Sequence, residues 1–272
     1  MHKKLRRILF KVSIISFIVS ISFLFFWLYP RYNAAVLTYH SIGYDKGLLS
    51  VSPENFEKQM RYFKEANYRV ITLDELVKGI ESGRRFPQKT VVITFDDGFK
   101  DNFIFAYPVL RKYGFPATIF LVTDWIGEDK EYLNWEEVIE MSKNNISFGG
   151  HTKSHAYLPA IVNKDALWNE ISGCKEVVEE HTGLIGPIYF CYPRGGFTEE
   201  VQMLVKEAGY KGACATNRGN DLLNRSDLYA INRVSIRDMD PDYSITNLFN
   251  AISFRVKVSG YYNVFRSKKR PY

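Results

Sequence analysis

Hydrophobic positions along the chain follow two different periods. Short apolar, β-rich runs recur as "AAVLTYHSI", "YRVITL", "TVVITF", "ATIFLVT", "ISFGG", "PIYFCY", "KGACAT" and "AINRVSI", and each reads as a buried strand. Most gaps between them carry helical spacing. "SPENFEKQMRYFKEA" places Phe56, Met60 and Phe63 on one face, with Ser52 as the expected N-cap and Pro53 at the first helical position. "TLDEL" predicts a capping box, Thr72 reaching forward and Glu75 reaching back. "DNFIFAYPVLRKYG" predicts a helix closed by Gly114 and interrupted at Pro108. "KDALWNEISGCKEVVEEHTG" and "TEEVQMLVKEAGY" follow the same plan. Apolar strands alternating with helices imply a parallel sheet covered on both faces or closed into a barrel. In such folds the chemistry gathers at the carboxyl ends of the strands.

The amino terminus breaks this pattern. Residues 1–30 form a basic flank (Lys3, Lys4, Arg6, Arg7, Lys11) followed by eighteen residues, Val12 to Tyr29, without a charge. That length suits a transmembrane helix, and the basic flank orients it with the rest of the chain outside the cell. A cleaved secretion signal is the alternative; its apolar region would be shorter, and no small-x-small site follows "FFWLYPRYN". The expectation is a single-pass membrane anchor over 1–30, one extracytoplasmic domain over 31–252 and a basic tail over 253–272.

Charge sharpens this division. The formal net charge of +6 comes from the two ends, because residues 31–252 hold 25 basic against 30 acidic side chains. A domain with that acidic excess has no nucleic-acid footprint. Cys174, Cys191 and Cys214 show no Cys-x-x-Cys spacing, which predicts free buried thiols rather than a redox pair or zinc knuckle.

Four predicted strand ends carry unusual polar groups: His40 in "LTYHSI", Asp96 and Asp97 in "ITFDDG", His151 and His155 in "FGGHTKSH", and Tyr192, Pro193 and Arg194 in "FCYPRGG". Parallel packing brings such ends together. Two imidazoles and a carboxylate make an open set that binds a divalent metal and leaves room for water and substrate. The second carboxylate is then free to take a proton from that water as a general base. Spacing alone leaves open which aspartate does which.

At these residues the chain resembles the polysaccharide deacetylases, the carbohydrate esterase family built on the NodB-homology domain. "TFDDG" matches the first motif, "HTKSH" the second, and "YPRGG" stands where a Tyr-Pro-x-Gly third motif is expected. The likeness spans roughly residues 35 to 240 and implies an α/β fold, a distorted (β/α) barrel of about seven strands. It implies Asp96 as general base and Asp97, His151 and His155 as ligands of a divalent metal, zinc first, with cobalt, nickel or manganese also accepted. The backbone N–H of Arg194 would stabilise the tetrahedral intermediate.

The commoner general acid, a late Leu-x-His, is absent: no histidine follows His181. The chain resembles instead the branch acting on poly-N-acetylglucosamine, whose acid motif is permuted to the start of the domain, making His40 the acid. Cys191 stands where the commoner third motif begins with arginine, and Arg233 in "INRVSI" is the candidate replacement, pairing with Asp96 and tuning its pKa. Trp125 and Tyr192 are candidates to line a glycan groove, whereas Trp135 in "NWEEVIEM" reads equally well as a core residue. His181 reads as a partner of a helix C-terminus. The function expected is removal of N-acetyl groups from an extracellular N-acetylglucosamine polymer. The alternatives are deacetylation of peptidoglycan or of an O-acetylated polysaccharide, and a barrel that binds glycan without turning it over.

Overall fold

The computed structural model describes residues 2–28, 34–44, 47, 49–84, 86–87, 89–183, 188–216 and 227–238, with the side chains of 2–5, 8 and 22–28 excluded. The expected basic tail, 253–272, and the end of the expected domain, 239–252, lie outside the described residues. The chain divides into two units, Met1–Arg31 and Tyr32–Tyr272. The first is helix α1, His2–Leu28. Among the described residues no helix is long and apolar enough to cross a membrane. The uncharged run behind the anchor expectation continues past Ile21 into side chains outside that description.

The second unit is built on parallel strands. Their order of appearance is β1 Ala34–Tyr39, β2 Arg69–Val70, β3 Thr90–Phe95, β4 Ala117–Leu121, β5 Ile146–Gly150, β6 Phe190–Cys191, β7 Ala213–Thr216 and β8 Ile231–Ser235. Strand β3 pairs β1 along its whole length, from Ala34 opposite Thr90 to Tyr39 opposite Phe95. Its other edge is shared, β2 at its start and β4 at its end. Pairing then runs β4–β5–β6–β7–β8 and returns from β8 to β1, where Leu37 lies opposite Val234. The result is a closed parallel (β/α) barrel of seven strands, with β2 as a short flap beside β3. "YRVITL" yields only the flap because its last residues already begin a helix.

The helices are α2 Pro53–Glu65, α3 Leu73–Glu81, α4 Tyr107–Tyr113, α5 Trp135–Ser142, α6 Lys164–Trp168, α7 Cys174–Thr182 and α8 Glu199–Glu207. Strand alternation splits the core in two. Leu37, Tyr39, Ile93, Phe95 and Ile119 pack with Phe56, Met60 and Phe63 of α2 in the larger cluster. Val36, Val92, Phe120, Cys191, Cys214 and Ile231 form a second, smaller cluster on the opposite strand faces. All three cysteines are buried free thiols.

Helix ends differ in detail from the sequence expectation. Ser52 stands at the N-cap of α2, but its side chain makes no cap bond; its backbone N–H donates to Asp238 Oδ2 at 2.9 Å. Thr72 accepts from the Glu75 N–H at 3.0 Å, whereas the Glu75 carboxylate pairs with Arg69 and Arg84. Two guanidinium groups outcompete one backbone N–H, so only half of the box forms. The complete box belongs to Asn134 and Glu137 at the start of α5. The interruption expected at Pro108 is a π-helical turn, Asn102–Ala106, that runs into α4, so the N–H that proline lacks falls within the first turn of α4. Gly114 ends that helix with φ 68°.

Candidate metal and catalytic centre

Period-two alternation on β3 turns Val92 and Thr94 to one face and carries Asp96 onto the same face just beyond the strand end. There Asp96 is 4% exposed. Arg233, itself buried on β8, donates from both terminal nitrogens, one to each Asp96 oxygen, at 2.7 Å and 2.7 Å. The same guanidinium donates to Thr94 Oγ1 at 3.1 Å and lies 2.9 Å from Cys191 Sγ. Burial alone would raise the Asp96 pKa; the Arg233 charge and hydrogen bonds reverse this and hold it well below the usual carboxylate range. Cys191 on β6 and Arg233 on β8 thus meet at the same carboxylate.

Asp97 turns the other way. Its φ of 72° lies in the left-handed region, followed by Gly98 at 77°. A side chain at Gly98 would drive into Leu121 Cδ2, 2.8 Å from its Cβ, so glycine is required where this turn passes β4. Asp97 Oδ1 comes within 3.5 Å of Nε2 of both His151 and His155. His151 follows β5 directly, and its Nδ1 sits 2.7 Å from the Cys191 carbonyl, which fixes that nitrogen as the N–H and leaves Nε2 as the free donor. Burial lowers the His151 pKa to about 4 despite the Asp96 charge. His155 is lowered too, by burial first and then by the Arg194 charge. Both imidazoles are therefore neutral near neutral pH.

Asp97 Oδ1 is buried with no hydrogen-bond partner. Burial and the neighbouring Asp96 charge push the Asp97 pKa up to about 7. An orphaned carboxylate facing two neutral imidazoles is what a divalent cation would satisfy, so the residues fit a metal. Asp96, His151 and Cys191 also lie close enough to form a donor set. The Arg233 guanidinium, in contact with both Asp96 and Cys191, makes that set unfit for a cation.

His40 follows β1 directly, with Nε2 3.8 Å from Asp96 Oδ2 and a buried Nδ1 that has no partner. Burial lowers its pKa, partly offset by the Asp96 charge. The Asn102 amide donates to the His40 carbonyl at 2.9 Å and holds this strand end. Arg194 is exposed, with φ 58°, in a short turn where the Gly195 N–H donates to the Tyr192 carbonyl at 2.8 Å. Of six non-glycine residues with positive φ among the described residues, four (Asp97, Thr152, His155 and Arg194) belong to these loops. Strain of this kind costs about 1–3 kcal/mol per residue and persists only where surrounding structure enforces it.

The aromatic candidates separate. Trp125 is half-buried, its ring 4.7 Å from Tyr132 and 5.5 Å from the His155 ring, so it walls the site. Tyr192 does not. It is 1% exposed, donates its hydroxyl to the Tyr229 carbonyl at 3.0 Å and stacks on Phe197 at 4.6 Å. Strand alternation sends its ring into the larger core, which corrects the groove expectation for it. Trp135 stacks on His181 at 4.0 Å as a packing residue of α5, and His181 Nδ1 bonds the Val177 carbonyl at the end of α7. Sequence reasoning missed Thr94 and Asn102. The first was readable as the inward neighbour of Asp96 on β3, while nothing in the spacing announced the second.

Residues 83–213 match the family model described as polysaccharide deacetylase. A provisionally assigned polysaccharide deacetylase of Bacillus subtilis (strain 168), YxkH, is 32% identical over 205 residues, covering 74% of this chain and 70% of that one. The poly-beta-1,6-N-acetyl-D-glucosamine N-deacetylase of Staphylococcus aureus (strain MSSA476) is 28% identical over 206 residues, 70% of this chain and 68% of its own length. Among solved structures, the Streptococcus pyogenes deacetylase PplD superposes with a TM-score of 0.71 at 24% identity, over 80% of this chain and 97% of that one, and shares the fold. The chain belongs to the polysaccharide deacetylase family, and the matched segment carries Asp96, Asp97, His151 and His155, while His40 and Arg233 lie outside it.

Proposed function

We propose that the protein is a metal-dependent N-deacetylase of an extracellular N-acetylglucosamine polymer, with a poly-β-1,6-linked chain as its first candidate. The observation that carries this is the division of labour between adjacent aspartates. Asp97 is orphaned between two neutral imidazoles, while Asp96 is held ionised by Arg233 with His40 beside it. The likeness to the staphylococcal N-deacetylase supports the substrate class.

Asp97, His151 and His155 would hold the cation, zinc first. Such an ion lowers the pKa of a water it ligates and polarises the acetyl carbonyl. Asp96 accepts the proton of the attacking water; its pairing with Arg233 keeps it ionised and fixes its direction. The backbone N–H of Arg194 would stabilise the developing oxyanion. His40 would give a proton to the departing amine, the adjacent Asp96 charge favouring the protonated imidazole that burial disfavours. The Trp125 ring supplies a face on which a sugar can stack.

The anchor reading rests on α1, whose described apolar side chains are exposed on every side, Leu9, Phe10, Val12, Ile15, Phe17 and Ile18 among them. A hydrophobic stretch of that kind suits lipid, with the barrel outside the cell. The test is acetate release from β-1,6-linked N-acetylglucosamine oligomers, with and without a chelator, beside peptidoglycan and acetylated xylan. Chelator-sensitive release from the oligomers is expected. Release from xylan or peptidoglycan alone would move the assignment to those substrates, and binding without release would make the barrel a glycan receptor.

A further inference from the structure

The metal-ligand loop is held from outside the site by one carboxylate. Between His151 and His155 the backbone passes through two left-handed residues, Thr152 at φ 65° and His155 at φ 61°. On one flank the strand β4 exit holds it, as the Thr123 and Asp124 N–H groups donate to the Thr152 and Lys153 carbonyls at 3.3 Å and 2.9 Å. On the other flank stands Glu170. Its Oε2 accepts from the N–H groups of both Lys153 and Ser154 at 3.0 Å each, and its Oε1 accepts from the Ser154 hydroxyl at 2.7 Å.

Glu170 reaches the loop because its helix is locally widened. A π-helical turn, Asn169–Gly173, lies between α6 and α7. Two further contacts press this turn against the loop. An ideal Cβ at Gly173 would come within 3.2 Å of Lys153 Cδ, so glycine lets the lysine stem lie on the turn. The Tyr210 hydroxyl donates to the Ile171 carbonyl at 3.0 Å, and the same hydroxyl would collide with any side chain at Gly150, the residue before His151.

We propose that Glu170 is a positioning residue for the metal centre: by bonding the two successive N–H groups between His151 and His155, it fixes the separation of the two imidazoles and so sets metal affinity. This rests on the metal reading of Asp97, His151 and His155. Three hydrogen bonds to one ionised acceptor are strong bonds, and their removal releases a backbone strained at two residues. Glu170 touches neither the ligands' side chains nor the reacting atoms, so its effect is on the ligands' placement.

The test is zinc titration of the metal-free full-length chain against a chromophoric chelator, together with amide hydrogen exchange. Glu170→Ala should weaken zinc binding about 10–100-fold, as loss of outer-shell partners does. Glu170→Gln, which puts an amide NH2 where an acceptor oxygen stood, should fall between it and wild type. Exchange at the Lys153 and Ser154 amides should quicken in both variants before metal is added. If Glu170→Ala fails to fold, the Gln variant carries the comparison. Unchanged zinc affinity with a lowered melting temperature would make Glu170 a fold-stabilising residue only and overturn the proposal. Wild-type chain that takes up no more zinc than Asp97→Ala would instead sink the metal reading, and the positioning role with it.

Discussion

At the scale of single residues, two neighbouring aspartates with the same intrinsic chemistry are driven in opposite directions by their surroundings. Asp96→Asn keeps the shape but leaves one acceptor oxygen for Arg233 and removes the proton acceptor, so turnover should fall about a hundred- to ten-thousandfold while zinc content, read by elemental analysis, stays near wild type. Asp97→Ala should empty the site; retention of zinc there with loss in Asp96→Asn would mean the roles are exchanged. Asp97 also sets the pH dependence of uptake. With its metal-free pKa raised to about 7 and both imidazoles lowered below their ordinary value, Asp97 is the first of the three to take up a proton as pH falls from neutrality. Zinc affinity should therefore weaken about tenfold per pH unit below neutrality and level off above it; a steeper, two-proton slope would implicate an imidazole. His40 is tested by leaving group. His40→Ala should keep its zinc and lose most turnover on an N-acetyl amide, whose amine must be protonated to leave, while retaining far more on an aryl acetate, whose phenolate needs no proton. Equal losses on both would reduce His40 to a structural residue.

At the scale of elements, β8 contributes one group that matters beyond its own strand. Arg233→Met removes one partner of a buried ion pair and should destabilise the barrel by about 3–5 kcal/mol in chemical denaturation. The sign of the pH dependence should invert as well. In wild type, Asp96 is depressed in the native state, so its contribution is present above the ordinary carboxylate pKa and is lost as acid approaches its lower native value. Without Arg233, burial dominates and raises that pKa, so the same carboxylate would favour the native state in acid and lose that contribution as pH rises. The gap between the two proteins should thus widen from about pH 4 towards neutrality. Much of this was legible in the sequence, because a period of two and the rule that strand ends converge are local facts. They put Asp96, Asp97, His151, His155 and His40 together and suggested Arg233. What escaped was non-local. Tyr192 is one residue beyond a two-residue strand, too short for its facing to be read. Glu170 acts from a widened helical turn that leaves no mark in hydrophobic spacing. Thr72 lost its reciprocal partner to arginines whose approach only the fold reveals.

At the scale of the whole molecule, the barrel and α1 are separate units, and the expected topology gives them separate tasks. Deleting residues 1–30 should move the enzyme from the membrane pellet to the soluble fraction with its zinc-dependent activity intact, measured as acetate release per mole. A shortened chain secreted from the unaltered gene would show that the segment is a cleaved leader. The ring itself has a further bearing, on the order in which the chain is made. β1 emerges from the ribosome early and β8 late, yet Leu37 and Val234, about 200 residues apart, are direct neighbours. Until Ile231–Ser235 arrives, β1 and β7 each keep an open edge and Asp96 lacks the guanidinium that pairs and orients it. On the proposed roles, a nascent or prematurely terminated chain would carry Asp97, His151 and His155 without the arginine that pairs Asp96. On the proposed roles, translation would delay this hydrolase, since the closing stave of the barrel also carries the arginine that pairs its base.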